Sequence, residues 1–259
     1  WGLAGATIAW QFQKKGIPIN VYDSGHNHSS RVAAGLVNPV VFKRLTKSWN
    51  ADKLMPYAKE FYQNCSIDLG KEVMSHKSIL RVFASIEEQN NWSSLEGDER
   101  FSTFIKPIRE LNVTGIKAPF HVGEVQSIGN LDTNVFLNES KKYLKEKGVN
   151  FSETLFDHGQ INPLEMYIFC EGHEVVNNPY FSYLPMKTTH GDVLTIKTDQ
   201  TSFTDIINKN MFVLPLGEGF YRVGATYNWD KKEPEPTQTG KEELMEKLAA
   251  FTNFEYEIV

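Results

Sequence analysis

Trp1-Gly2-Leu3-Ala4-Gly5-Ala6-Thr7-Ile8-Ala9-Trp10-Gln11-Phe12-Gln13-Lys14-Lys15-Gly16 runs straight into Ile17-Pro18-Ile19-Asn20-Val21-Tyr22-Asp23. Small and apolar residues recur at helical spacing up to Lys15, and Gly16 is a natural helix stop. The second segment reads as a short buried strand that ends in an acid. Gly2 and Gly5 fit the second and third glycines of a G-x-G-x-x-G turn, with the first falling just before Trp1. A glycine at position 2 lets backbone approach a pyrophosphate, and Gly5 lets helix and strand pack closely. The phosphates would rest on the positive end of the helix dipole, against the amides of Gly2, Leu3, Ala4 and Gly5. Asp23, eighteen residues after Gly5, is placed to accept hydrogen bonds from an adenosine ribose, which suits FAD or NAD and disfavours NADP. The strand that should precede Gly2 is absent, so the expected form is a chain cut short at its start.

Composition sets the frame around this stretch. The chain has 259 residues, 41% hydrophobic and 23% charged, enough for one large domain or two modest ones. A net charge of −5 gives no reason to expect nucleic acid or an anionic membrane as partner. No apolar run approaches the roughly 20 residues of a membrane span. The two cysteines, Cys65 and Cys170, fit a reducing cytoplasm better than a disulfide scaffold, and neither has zinc-site spacing. His26 and His28 flank Asn27 as an HxH pair, but two residues do not make a metal site, and none is expected.

After the acid comes Ser24-Gly25-His26-Asn27-His28-Ser29-Ser30-Arg31-Val32-Ala33-Ala34-Gly35-Leu36-Val37-Asn38-Pro39. Here the sequence resembles the D-amino-acid oxidase-like family of FAD-dependent oxidoreductases, which includes glycine and sarcosine oxidases. In that family a Ser/Ala/Gly-rich stretch after the ribose-binding acid wraps the flavin side of the cofactor. By this resemblance Ser24, Ser29, Ser30 and Arg31 offer donors to phosphate or flavin oxygens, and Ala34, Gly35 and Leu36 pass close to the ring system. Asn130-Leu131-Asp132-Thr133 and the segment 135–148 resemble the helix that returns to the FAD domain, with Asp132 as its N-cap. Gly148-Val149-Asn150-Phe151 resembles the strand whose backbone, at Val149, meets the adenine. Tyr167-Ile168-Phe169-Cys170-Glu171-Gly172 resembles a buried strand and glycine turn beside the cofactor, with Glu171 in place of the usual small residue. Cys170 itself reads as an inert core thiol more readily than as a flavin link.

Between these segments lies a second pattern. Residues 49–69 carry Leu54, Tyr57, Ala58, Phe61, Tyr62 and Cys65 at helical spacing. Residues 79–83, 121–128 and 190–196 read as strands. Residues 211–216, the turn Gly217-Glu218-Gly219 and residues 220–227 read as a hairpin, and 240–251 as a helix. His190-Gly191-Asp192-Val193-Leu194 loosely resembles the family's "RGQ-apolar" strand, and residues 221–227 resemble its "apolar-Gly-x-Thr" strand. The implied architecture is mixed: α/β and α+β. A Rossmann-like FAD domain forms from discontinuous segments (1–48 and 129–175), with an inserted mixed-sheet substrate domain (49–128 and 176–259).

The implied activity is oxidation of a C–N bond of an amino acid or secondary amine to an imine, in the cytoplasm, with FAD the only cofactor expected. Alternatives are an FAD domain acting on a modified tRNA base, suggested by Asn38-Pro39 and Ser48-Trp49, a flavin-binding protein without turnover, and an NAD-dependent dehydrogenase. No catalytic residue is assignable. The family's carboxylate-gripping arginine and last flavin contact would fall after Val259, so a chain cut short at that end too is expected. Tyr221, Arg222 and Tyr227 are the remaining candidates for substrate contact, with alternation putting the two tyrosines on one face and Arg222 on the other. Arg44 and Lys47 read as surface charges.

Overall fold

The fold was determined from a computed structural model that describes residues 1–26, 29–126, 129–230 and 234–259. His28 of the HxH pair and the end of the strand expected over 121–128 lie outside the described residues. The helices are α1 (Leu3–Lys14), α2 (Ser29–Val32), α3 (Ala51–Leu69), α4 (Ile86–Glu96), α5 (Thr133–Glu146) and α6 (Gln238–Ala249). The chain divides into two compact units: 1–35, 62–74 and 131–188 form the first, and 36–61, 75–130 and 189–259 the second. These units differ from the segments read from the sequence at residues 36–48, 62–74, 129–130 and 176–188.

In the first unit, α1 and α5 end in the same way. Past α1, the Gly16 amide donates to Gln13 O at 2.9 Å and the Ile17 amide to Phe12 O at 3.0 Å. Past α5, Gly148 donates to Lys145 O at 3.0 Å and Val149 to Leu144 O at 2.9 Å. Both pairs are Schellman closures, which need a left-handed residue; φ is +66° at Gly16 and +88° at Gly148. Each closure releases the chain into a short strand, Asn20–Tyr22 and Asn150–Ser152, and these two pair in parallel with Val21 opposite Phe151. The helices above them interlock through small residues. Ala6 and Ala9 are buried, Trp10 stacks on Tyr143 with centroids 4.6 Å apart, and the Trp10 indole N–H donates to Ser140 Oγ at 2.8 Å. Satisfying that buried donor lets a full indole sit in the core without a desolvation penalty. Asp132 caps α5 by accepting from the Val135 amide at 2.9 Å, as the sequence implies.

The second unit is built on a mixed sheet, eight-stranded among the described residues. From one edge its order is Glu257–Ile258, Val193–Lys197, Phe220–Gly224, Phe212–Gly217, Ile206–Asn208, Ile79–Val82, Val122–Val125 and Ile105–Arg109. The expected hairpin forms, with Val213 opposite Val223. Pairing is antiparallel except between Ile206–Asn208 and Ile79–Val82. Val82, Val122, Ile196, Val213 and Val223 pack with Leu244 and Leu248 of α6, and with Phe251 just past its end, into one apolar cluster. Leu244 and Leu248 lie at i and i+4, on one face of the helix. α4 sits close on the sheet because Gly123 has no side chain. A methyl there would fall 2.2 Å from the ring of Trp92, which is fully buried and donates its indole N–H to Lys106 O at 3.2 Å.

Candidate cofactor-binding site

The N-terminal turn of α1 is the centre of the site. Gly2 is the N-cap, extended (φ −115°, ψ −176°), and supplies no side chain to satisfy the first-turn amides. Those amides have no partner within the helix, so they are open to an outside acceptor. One of them, at Leu3, donates to Ser30 Oγ at 3.2 Å. A methyl at Gly2 would stand 3.1 Å from that same oxygen, so glycine is what lets the turn and Ser30 approach. At Gly5 a methyl would meet Cys170 Cβ at 3.5 Å, an ordinary contact, so packing against Cys170 does not by itself demand glycine there.

Asp23 follows directly on the parallel strand pair, its amide donating to Ser152 O at 3.0 Å. Its Oδ1 accepts from the Gly25 amide at 3.3 Å. Burial works to raise the Asp23 carboxyl, and the Gly25 N–H and the Lys141 charge work to lower it. Oδ2 has no protein donor among the described residues, which leaves an ionised oxygen beside the first turn of α1.

The stretch after Asp23 is fixed mainly by α5. The Asn134 side-chain amide donates to Arg31 O at 2.9 Å, and the Arg31 guanidinium donates to Asn138 Oδ1 at 2.8 Å. Ala33 O accepts from Thr133 Oγ1 at 3.4 Å, and Gly35 O from the Leu131 amide at 2.9 Å. Arg31 thus works as a brace between α2 and α5, where the sequence suggested a phosphate or flavin donor. Ser29 opens α2 and is exposed; Ser24 and Ala34 are half-buried. Gly35 is left-handed at φ +68°. Leu36 opens the strand Leu36–Val37, paired opposite Asn130. The roles of Asn134 and Asn138 had no local signal, since they act across about a hundred residues of sequence.

The remaining positions depart further from expectation. Val149 is buried and its amide is spent on the α5 closure. Residues 167–170 are not a strand; Ile168 is 48% exposed, and Phe169 packs against His158, Tyr180 and Phe181. The apolar run that read as a buried strand is one part of an aromatic cluster with Phe156 and Tyr167. Glu171 accepts from the Asn178 side chain at 2.7 Å, and Gly172, at φ +61°, starts a 3-10 turn over Gly172–Asn177. Burial pushes the half-buried Cys170 thiol up, consistent with the inert reading.

The substrate candidates lie in the second unit. Tyr221 is 4% exposed, packs on Phe203, and donates its hydroxyl to Thr201 O at 2.9 Å, so it is a core residue. Tyr227 is 76% exposed. The shared face expected for the two fails because the strand ends at Gly224, three residues short of Tyr227. Arg222 is half-buried, between Thr195 and Leu214 on the neighbouring strands. Among the described residues no cluster of three or more His, Cys, Asp or Glu is placed to hold a metal ion, and no helix is long and apolar enough to cross a membrane.

No family model matches the chain. Solved structures do resemble it over almost its whole length. Glycine oxidase from Geobacillus kaustophilus superposes with a TM-score of 0.74 at 12% identity, over 98% of this chain and 79% of that one. Glycine oxidase from Bacillus cereus gives 0.69 at 13%, over 99% and 82%. Iminodiacetate oxidase from Chelativorans gives 0.66 at 14%, over 99% and 80%. The chain is a mixed α/β protein with the fold of these oxidases.

Proposed function

We propose that the chain binds FAD and oxidises a C–N bond of an amino acid or secondary amine. The observation that carries the cofactor reading is the uncapped first turn of α1 beside the ionised Asp23. An anion and a pair of ribose hydroxyls are what those two groups would hold. Gly2, Leu3, Ala4 and Gly5 present backbone donors to the pyrophosphate, Ser30 stands at the same turn, and Asp23 accepts from the ribose. Ser24, Ser29, Ala34, Gly35 and Leu36 follow along the path toward the flavin. These residues fit the adenosine and pyrophosphate end of the group. When bound, FAD supplies the two-electron acceptor for conversion of the substrate amine to an imine. The protein's part is to bind and orient the substrate and to keep water away. In this reading the first unit serves the cofactor and the second the substrate, with Arg222 and Tyr227 as candidate contacts. The fold shared with glycine and iminodiacetate oxidases supports a small amine or amino acid as substrate.

The test is anaerobic titration of the FAD-reconstituted complete gene product with glycine, N-methylglycine, iminodiacetate and a panel of L- and D-amino acids. Loss of the flavin bands with one of them is expected. Bands that persist with the whole panel contradict the substrate class, and failure to take up FAD contradicts the cofactor.

A further inference from the structure

Asp192 is a buried carboxylate, 7% exposed, on the approach to the strand Val193–Lys197. Its donors are threonines: Thr237 gives its amide at 3.0 Å and its hydroxyl at 2.7 Å, and Thr226 its hydroxyl at 3.4 Å. The nearest basic atom is His190 Nδ1 at 3.7 Å, beyond hydrogen-bond distance and itself without a hydrogen-bond partner. Among the described residues no lysine or arginine is paired with the Asp192 carboxylate. A cavity of about 210 Å³ opens beside it, lined by Asp192, Val193, Leu194, Pro236, Thr237, Gln238 and Lys241. Lys241, in the first turns of α6, is half-buried, and its ammonium group has no acid partner among the described residues.

One small cavity is therefore lined by an acid and a base that do not pair with each other, together with Val193, Leu194 and Pro236. We propose that it is a binding site for a small zwitterion, an amino acid with a short or absent side chain. The ligand's ammonium donates to Asp192 Oδ1, which accepts only the Thr237 amide and keeps a lone pair. Its carboxylate lies against Lys241, and its carbon atoms face the valine, leucine and proline. Pockets for drug-sized ligands run to roughly 300–1,000 Å³, so the volume here limits the occupant to something smaller. A ligand carrying one charge satisfies one wall only. The inference rests on this unit alone and does not depend on the flavin reading.

The test uses the full chain without added FAD, with amide shifts of Leu194 and Lys241 followed by NMR. The probes are glycine, L-alanine and N-methylglycine, with acetate and methylammonium as single-charge controls. Saturable shifts with at least one zwitterion are expected, and weaker binding of both controls by about tenfold or more. Lys241→Gln, on a half-exposed side chain with no ion pair to lose, keeps the fold and weakens the zwitterion by a similar factor. Absence of saturation by all three zwitterions, equal binding of acetate, or unchanged affinity in Lys241→Gln would each overturn the proposal.

Discussion

Replacing Asp23 by asparagine is the sharpest probe of how the site holds adenosine. The change keeps the side-chain volume and leaves the Asp23 amide on Ser152 O, so the strand end stays in place. One oxygen, Oδ1, already serves the Gly25 amide, and Oδ2 is left for a ligand. What is lost is the charge on the acceptor that meets the ribose, together with one of its two acceptor atoms. A hydrogen bond to an ionised group contributes roughly 1.5–3 kcal/mol, and each 1.4 kcal/mol is about a factor of ten. The dissociation constant for FAD should therefore rise by about 10- to 150-fold in Asp23→Asn. FAD fluorescence quenching on titration with apoprotein measures it, and circular dichroism of the unliganded variant shows whether the fold is kept. An Asp23→Asn chain that folds and binds FAD within twofold or so of the parent would refute the ribose role, because a charged hydrogen bond cannot be lost at that cost.

Three other expectations follow from the packing. Gly123→Ala should lower unfolding free energy in urea by about 2–3 kcal/mol, since the methyl lands on a buried ring, and Trp92→Leu in the same chain should recover part of it; a Gly123→Ala variant as stable as the parent would put α4 in the wrong place. Tyr221→Phe should cost about 1 kcal/mol by leaving Thr201 O without its buried donor, and should leave KM for an amine substrate unchanged; a raised KM would return Tyr221 to the substrate site. Burial pushes the Cys65 thiol up to about 12, so it should resist iodoacetamide at pH 8 in the folded chain and react once urea unfolds it, as mass spectrometry of the labelled peptide reports; rapid labelling of native Cys65 would contradict its burial.

Much of the fold was legible because its punctuation is local. Gly16 and Gly148 each mark a helix end, and the strands after them follow from a few residues of sequence. The stripe from Leu54 to Cys65 gave α3, and the Gly217–Gly219 turn gave the hairpin. Other features had no such local marker. α4 (IEEQNNWSSLE) is polar on almost every side, so it shows no apolar stripe, although Ser85 and Glu88 carry a capping signature that forms: the Glu88 amide donates to Ser85 Oγ and the Ala84 amide to Glu88 Oε2. The run Tyr167-Ile168-Phe169-Cys170 is apolar for the sake of an aromatic cluster, and periodicity cannot separate that from a strand. At the candidate site, the places of Gly2 at the start of α1 and of Asp23 just after the first strand were readable from spacing. The Arg31 brace was not, because Asn134 and Asn138 meet it only after the chain folds back.

The account's central claim is that the first turn of α1 and Asp23 hold FAD. The most direct test is the visible spectrum of the complete gene product after incubation with FAD and removal of excess by gel filtration. The account predicts retained flavin bands near one FAD per protein, diminished in Asp23→Asn. A parent protein that emerges colourless at saturating FAD, while folded by circular dichroism, would contradict it.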